Sequence, residues 1–180
     1  MKIEIVKNRN LTKPRKDFIN KNREKHFGKD EIKDFKKDYE PDMIWFFVKD
    51  KNQVVALGGL RPIKIKYLGK KYNISGICSV IAIKKKKGYG KVVIQTMIKY
   101  LKKKRKTGLG FCGKKNIPFY EKSDLKSKKD LINRFVYINP KTKEKVYDLD
   151  GYGIYYEGKD KFISEILSTK STVYINIPHW

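Results

Sequence analysis

Cysteine and histidine are nearly missing from this chain, with two of each in 180 residues. Cys78 and Cys112 form no C-x-x-C pair, which excludes a disulfide framework and a cysteine-based zinc site, and no metal is expected. Long apolar runs are missing too. The longest compact one, "MIWFFV", falls far short of the roughly 18 residues that cross a bilayer. The start, "MKIEIVKNRN", has no signal-peptide core. These absences lead to the expectation of a soluble, cytoplasmic protein with no membrane partner. It should fold as a single domain over residues 1–180, large enough to bury a core without cross-links.

Acidic residues are scarce as well: 19 Asp and Glu stand against 44 Lys and Arg, for a formal charge of +25. The imbalance is concentrated, because residues 51–146 carry 27 basic residues and four acids while residues 147–180 are slightly acidic. Such a field draws in polyanions, whether a nucleic acid or a phosphorylated cofactor. Most of the basic residues are Lys, amid plentiful Asn and Ile, so compositional bias is the competing explanation for those outside the "KKKK" run.

Periodicity supplies the architecture. "MKIEIV" alternates as a strand does. Pro14, with Thr12 or Lys13 just outside, starts a helix that Gly28 stops, and a second helix is expected from about Asp30, with Ile32, Phe35 and Tyr39 on one face and Pro41 at its end. The stretch from Met43 to Ile83 reads as successive strands, with turns at Asp50–Asn52 and at Leu68, Gly69 and Lys70, and an antiparallel meander is its simplest topology. Val93, Ile94, Met97, Ile98 and Leu101 return to helical spacing. "GLGFC" is a short buried strand, "NIPFYEK" a turn into a helical start, and "LINRFVYI", "GIYY" and "TVYINI" are further strands. The order predicts an α+β domain with a largely antiparallel sheet.

One stretch combines these elements with chemistry. In "IAIKKKKGYGKVV" a strand enters a glycine loop that opens a helix, so free backbone N–H groups stand at the positive end of a helix dipole. Gly88 and Gly90 allow close approach, and Lys84 to Lys87 with Lys91 supply positive charge. A phosphate site and a plain strand-to-helix turn both fit. A Walker loop does not, since "GYGKV" lacks its spacing and its Ser or Thr after Lys, and no G-x-G-x-x-G is present.

With "NIPFYEK" following one strand later, the segment from Val54 to Leu125 resembles the GNAT superfamily of acyl-CoA N-acyltransferases. Its loop motif, (Arg/Gln)-x-x-Gly-x-(Gly/Ala), is matched by "KKKGYG", with Lys85 in the first place and Gly88 and Gly90 in the glycine places. The resemblance implies a central, mostly antiparallel mixed sheet flanked by helices, with residues 54–125 as the cofactor core and residues 126–180 completing the sheet and the acceptor site. It implies acetyl-CoA as cofactor. Ile81 and Ile83 would lie along pantetheine, and Lys85, Lys86, Lys87, Gly88, Tyr89, Gly90 and Lys91 along the pyrophosphate. Asn116 and Tyr120 match the family's second motif, where the tyrosine protonates the departing thiolate. Two features depart from the family: the loop is a few residues short, and Ser123 and Asp124 replace a glycine.

The implied reaction is acetyl transfer to a primary amine of a small molecule or peptide. The strand before the loop has Cys78 and Ser79 where many members carry a Glu, so either the amine arrives neutral or a base comes from elsewhere, with Asp148, Asp150, Glu157, the terminal carboxylate of Trp180, His26 and His179 the groups to consider. The "DLDG" segment and the terminal Trp look like the aminoglycoside 2'-N-acetyltransferase branch, which implies that Asp148, Asp150 and Trp180 hold a polyamine sugar. A different class remains open: a non-catalytic module of this shape that binds RNA or ribosomes through its basic surface and scattered tyrosines.

Overall fold

The computed structural model describes residues 1–37, 40–139, 141–147, 151–175 and 177. The N-terminal alternation is strand β1 (Lys2–Lys7), and helix α1 (Lys13–Phe27) follows. Thr12 is the N-cap of α1, Pro14 lies in its first turn, and Gly28, at φ 110°, ends it. In β1, Ile3 and Ile5 are exposed, while Glu4 is half-buried beside α1, where Arg15 donates to its carboxylate at 2.7 Å. An edge strand paired on one side lets an ion pair take the inner face.

The second helix expected from Asp30 does not form among the described residues. Lys29–Glu31 make a single 3₁₀ turn, and the chain is extended at Ile32. The Asn20 side chain bonds both the N–H and the carbonyl of Lys33, at 3.0 and 2.9 Å, and Asp34 Oδ1 accepts the N–H groups of Lys36 and Lys37. Those side chains satisfy backbone groups that a helix would have paired. Phe35 still reaches the core, 6.5 Å from the Trp45 ring, whereas Tyr39 lies outside the described residues.

The meander forms as expected: β2 (Ile44–Asp50), β3 (Gln53–Tyr67) and β4 (Lys70–Ala82) are consecutive antiparallel neighbours. Both turns have two central residues at positive φ, Lys51 with Asn52 and Leu68 with Gly69, the geometry that matches strand twist. β2 is buried on both faces. Ile44, Phe46 and Val48 meet helix α2 (Tyr89–Lys104), whose Val93, Ile94, Met97, Ile98 and Leu101 are all buried, while Trp45 and Phe47 share a core with Ile19 of α1.

Strand β5 (Gly108–Cys112) lies parallel to β4, and after it come α3 (Ile117–Glu121) and the strands β6 (Lys126–Lys129), β7 (Phe135–Ile138), β8 (Lys145–Tyr147) and β9 (Tyr152–Tyr156). Helix α4 (Phe162–Leu167) and β10 (Val173–Ile175) complete the described chain. The main sheet runs β1-β2-β3-β4-β5-β9-β6, antiparallel at every contact but β4–β5, and a small sheet runs β10-β7-β8. The architecture is α+β, a mostly antiparallel mixed sheet flanked by helices, as the residue pattern predicts.

The far halves of β3 and β4 bury a second core against α4 and the small sheet, centred on Phe162, with Tyr72 4.8 Å from its ring. Asp160 ties that core to β5: its carboxylate accepts from the hydroxyl and the N–H of fully buried Thr107, and Thr107 Oγ1 accepts from the Gly158 N–H at 2.9 Å. Asp160→Ala leaves those donors without a partner and should cost about 1–3 kcal/mol in urea unfolding. An unchanged midpoint would show that water replaces the carboxylate.

Candidate active site

β4 and β5 pair only at Ser75 with Gly108 and Gly76 with Leu109, and then part. The cause lies in β4, where Cys78 pairs with Gly59 and Ile81 with Leu57, so one extra residue is inserted around Ser79, which takes φ 51°. A bulge of this kind bends its strand. The parted strands open a cleft of about 1330 Å³, with Ser79, Val80 and Ala82 on the β4 wall and Phe111 on the β5 wall.

At one end of the cleft, Gly88 is the N-cap of α2 in the left-handed conformation, φ 75° and ψ −2°, with open space where a side chain would stand. Gly90 is needed for another reason. A Cβ there would lie 3.1 Å from the Phe119 ring, so glycine lets the first turn of α2 close on α3. Lys84, Lys85, Lys86 and Lys91 border the cleft beside this turn, whereas Lys87 is exposed and does not line it. Tyr89 also lines it, with its hydroxyl donating to Asp50 Oδ2 at 2.6 Å. That bond lowers the pKa of Asp50 and raises that of Tyr89.

Ile81 borders the cleft, but its side chain belongs to the core beneath α1, and Ile83 does not line the cleft. The Ile83 N–H donates to the Val55 carbonyl at 2.9 Å, so the backbone of Ile83 and, two residues back, that of Ile81 turn toward β3. By alternation, the groups facing the cleft belong to Ala82 and, across one more step, Val80.

α3 brings Asn116, Phe119 and Tyr120 to the same cleft. Tyr120 packs edge-on to Phe119 at 5.0 Å, and burial pushes its hydroxyl up to about 12. Among the described residues that hydroxyl has no hydrogen-bond partner. The Cys112 thiol is pushed up to about 11 by burial, and that of Cys78 is also raised, chiefly by burial, so both stay protonated. Asp124, where a glycine was expected, takes the left-handed conformation at φ 71°, and its carboxylate accepts from Gln95 at 2.9 Å.

The opposite wall comes from groups that no sequence spacing connects. Arg23 of α1 donates to Ser79 Oγ, to the Glu31 carbonyl at 2.6 Å and to the Glu31 carboxylate at 2.9 Å. Glu40 is shared by Lys33, at 2.6 Å, and Arg61 of β3. His26 also lines the cleft, its pKa lowered by burial and then by Lys85, so the imidazole is neutral near pH 7. Glu157 is elsewhere, with both carboxylate oxygens accepting from Ser164 at the start of α4. Asp148, Asp150, His179 and Trp180 lie outside the described residues. Among the described residues no group of His, Cys, Asp and Glu could hold a metal, and no helix is long and apolar enough to cross a membrane.

No family model and no curated protein sequence matches the chain. Solved structures do. Escherichia coli ElaA is 12% identical, superposes with a TM-score of 0.59, and aligns over 87% of this chain and 99% of its own. An acyl-CoA N-acyltransferase from Pseudomonas aeruginosa is 12% identical with a TM-score of 0.57, over 86% of this chain and 99% of its own. Campylobacter jejuni N-acetyltransferase PseH, solved in complex with acetyl coenzyme A, is 16% identical with a TM-score of 0.52, over 87% of this chain and 99% of its own. At these identities the likeness is one of fold, and the chain has the fold of the acyl-CoA N-acyltransferases.

Proposed function

We propose that this chain is an acetyl-CoA-dependent N-acetyltransferase that acetylates a primary amine of a small molecule or peptide. One observation carries the reading: the parting of β4 from β5 brings a free strand edge, a glycine-capped helix N-terminus bordered by lysines and Tyr120 to a single cleft.

The cleft fits the cofactor's chemistry. The first-turn N–H groups of α2 and Lys84, Lys85, Lys86 and Lys91 suit a diphosphate. The backbone groups of Val80 and Ala82, on the edge that β5 leaves unpaired, suit the amides of a pantetheine arm. Acetyl-CoA, when bound, supplies an acyl group as a thioester with a thiolate to be released. Tyr120 holds the proton that this thiolate needs, and its raised pKa keeps the phenol protonated throughout the working range. His26, neutral at the cleft wall, can take the ammonium proton directly or through water. Phe111, Phe119 and Met43 add apolar surface to the cleft.

The aminoglycoside reading draws no support from the cleft, whose described wall carries Arg23, Lys33 and Arg61. A basic surface for RNA is likewise not favoured, because the lysines with a definable geometry border a cleft that suits its own polyanion. Acetyl-CoA at a hundredfold excess over its Kd should add about 2.7 kcal/mol of stability and raise Tm by roughly 5–10 °C. A flat melting curve would remove the reading, and binding of RNA that weakens steeply with salt would favour the other.

A further inference from the structure

The Arg23, Lys33 and Arg61 wall has a charge arrangement that bears on the acceptor. All three side chains are largely covered, with 17%, 12% and 19% of their surface exposed. They share two carboxylates, those of Glu31 and Glu40, and Asp30 at the exposed rim makes no ion pair with them. They also converge, since Arg23, Arg61 and Lys33 all pull down the pKa of the Cys78 thiol, against the larger opposing effect of burial.

Their hydrogen bonds set them apart. All three nitrogens of the Arg23 guanidinium donate, Nε, Nη1 and Nη2 to Glu31, Ser79 and Glu31 again. Lys33 is taken by Glu40. Arg61 uses only Nε, toward Glu40, and its two terminal nitrogens have no partner among the described residues. Its cross-strand neighbour on β4 is Gly76, which puts no side chain beside it. A guanidinium on a cleft whose two terminal nitrogens have no acceptor among the described residues offers a two-pronged donor edge, and the matching group is a carboxylate held by two parallel N–H bonds. Arg61 stands two residues from Gly59, the partner of Cys78, so a carboxylate on Arg61 would place the rest of a small molecule toward the bulge where β4 and β5 part.

Building on the acyl-transfer reading, we propose that the acceptor is a primary amine that also bears a carboxylate, as an amino acid does, and that Arg61 Nη1 and Nη2 hold that carboxylate. Asp30, Glu31 and Glu40 remain on the same wall to accept hydrogen bonds from the amine.

The test uses the full chain and begins with acetyl-CoA in a melting experiment, because absence of binding would overturn the acyl-transfer reading and this proposal together. Thiol release is then measured at saturating acetyl-CoA for matched pairs: phenylalanine with phenethylamine, lysine with cadaverine, and phosphoethanolamine with ethanolamine. The expected result is a preference of about ten- to hundredfold in kcat/KM for the carboxylate-bearing member of the first two pairs, carried mainly by KM, with no comparable preference in the phosphate pair. In Arg61→Gln that ratio falls toward one, and in Arg61→Lys, which keeps the charge without the fork, it is intermediate. Calorimetry in the presence of coenzyme A gives a readout apart from turnover, with N-acetylphenylalanine binding at least tenfold more tightly than N-acetylphenethylamine. If acetyl-CoA binds but the pairs are used equally, the amine without carboxylate is preferred, or no amine is acetylated, this proposal is overturned and cofactor binding stands. A preference confined to phosphoethanolamine overturns the carboxylate in favour of a phosphate. The wild-type comparison decides even if an Arg61 variant fails to fold.

Discussion

Turnover should fall about a hundredfold or more in Tyr120→Phe if the acyl-transfer reading holds, while acetyl-CoA affinity changes less than about threefold. On the proposed reading the departing thiolate needs a proton, and the Tyr120 phenol is the one acidic side chain of α3 on that cleft. Removing its hydroxyl takes away a proton donor and leaves the ring, with its edge-on contact to Phe119, in place. No hydrogen bond to another described residue is lost, so the variant's Tm should match that of the wild type, and a kinetic loss cannot be put down to unfolding. The pH profile adds a second check. With its pKa pushed up by burial to about 12, Tyr120 is protonated at every pH below about 11, so an alkaline fall in rate between pH 8 and 10 belongs to another group. Single-turnover kinetics with a saturating amine read the effect directly, and unchanged turnover would take Tyr120 out of the mechanism.

The parts of the fold visible in the sequence are those whose signal is local. The hairpins of β2, β3 and β4 carry long apolar alternation and turns that need positive φ, and α2 repeats its buried residues over about three turns. The glycine loop and α3 follow within one continuous segment, so the end of the cleft that they line can be read as a string. The failures have physical causes. The segment after Asp30 has helical spacing, yet Asn20 and Asp34 side chains bond the backbone that a helix would use. β6 is "KSKK", an edge strand with no apolar alternation, formed because β9 offers it a ladder. α4 is six residues long and becomes a helix by burying Phe162, Ile163 and Ile166 in a core built by distant strands. Which backbone groups of β4 turn from β3 toward the cleft is not legible either, because the extra residue at Ser79 shifts the alternation and no composition signal marks a bulge. The Arg23, Lys33, Glu40 and Arg61 wall was invisible for the same kind of reason: its members come from α1, an irregular segment and β3, and meet only after the sheet has formed.

Gly88→Glu should abolish acetyl-CoA binding, with a loss above about a hundredfold, while leaving the protein folded. The backbone cost is bounded, since a non-glycine residue in the left-handed region loses roughly 1–2 kcal/mol, and Lys86 already occupies that region two residues earlier at φ 59°. Space is no obstacle, because nothing lies within 4 Å of the position a Cβ would take. A carboxylate at the N-cap is even favourable for α2, because it meets the positive end of the helix dipole. The damage falls on the ligand. The same carboxylate would pair with the lysines that border the loop and stand within a few ångströms of a bound diphosphate, where repulsion between unit charges is about 4 kcal/mol at an effective dielectric near 20. Gly88→Ala separates strain from charge and should weaken binding only several-fold. Gly69→Glu completes the comparison, since Gly69 has a similar φ of 77°, equally open space and a place in the β3–β4 turn outside the cleft, so its variant should keep wild-type affinity. Isothermal calorimetry with acetyl-CoA ranks the three. If Gly88→Glu binds as well as Gly88→Ala, the diphosphate does not sit at the start of α2, and the lysines around it have no ligand to explain them.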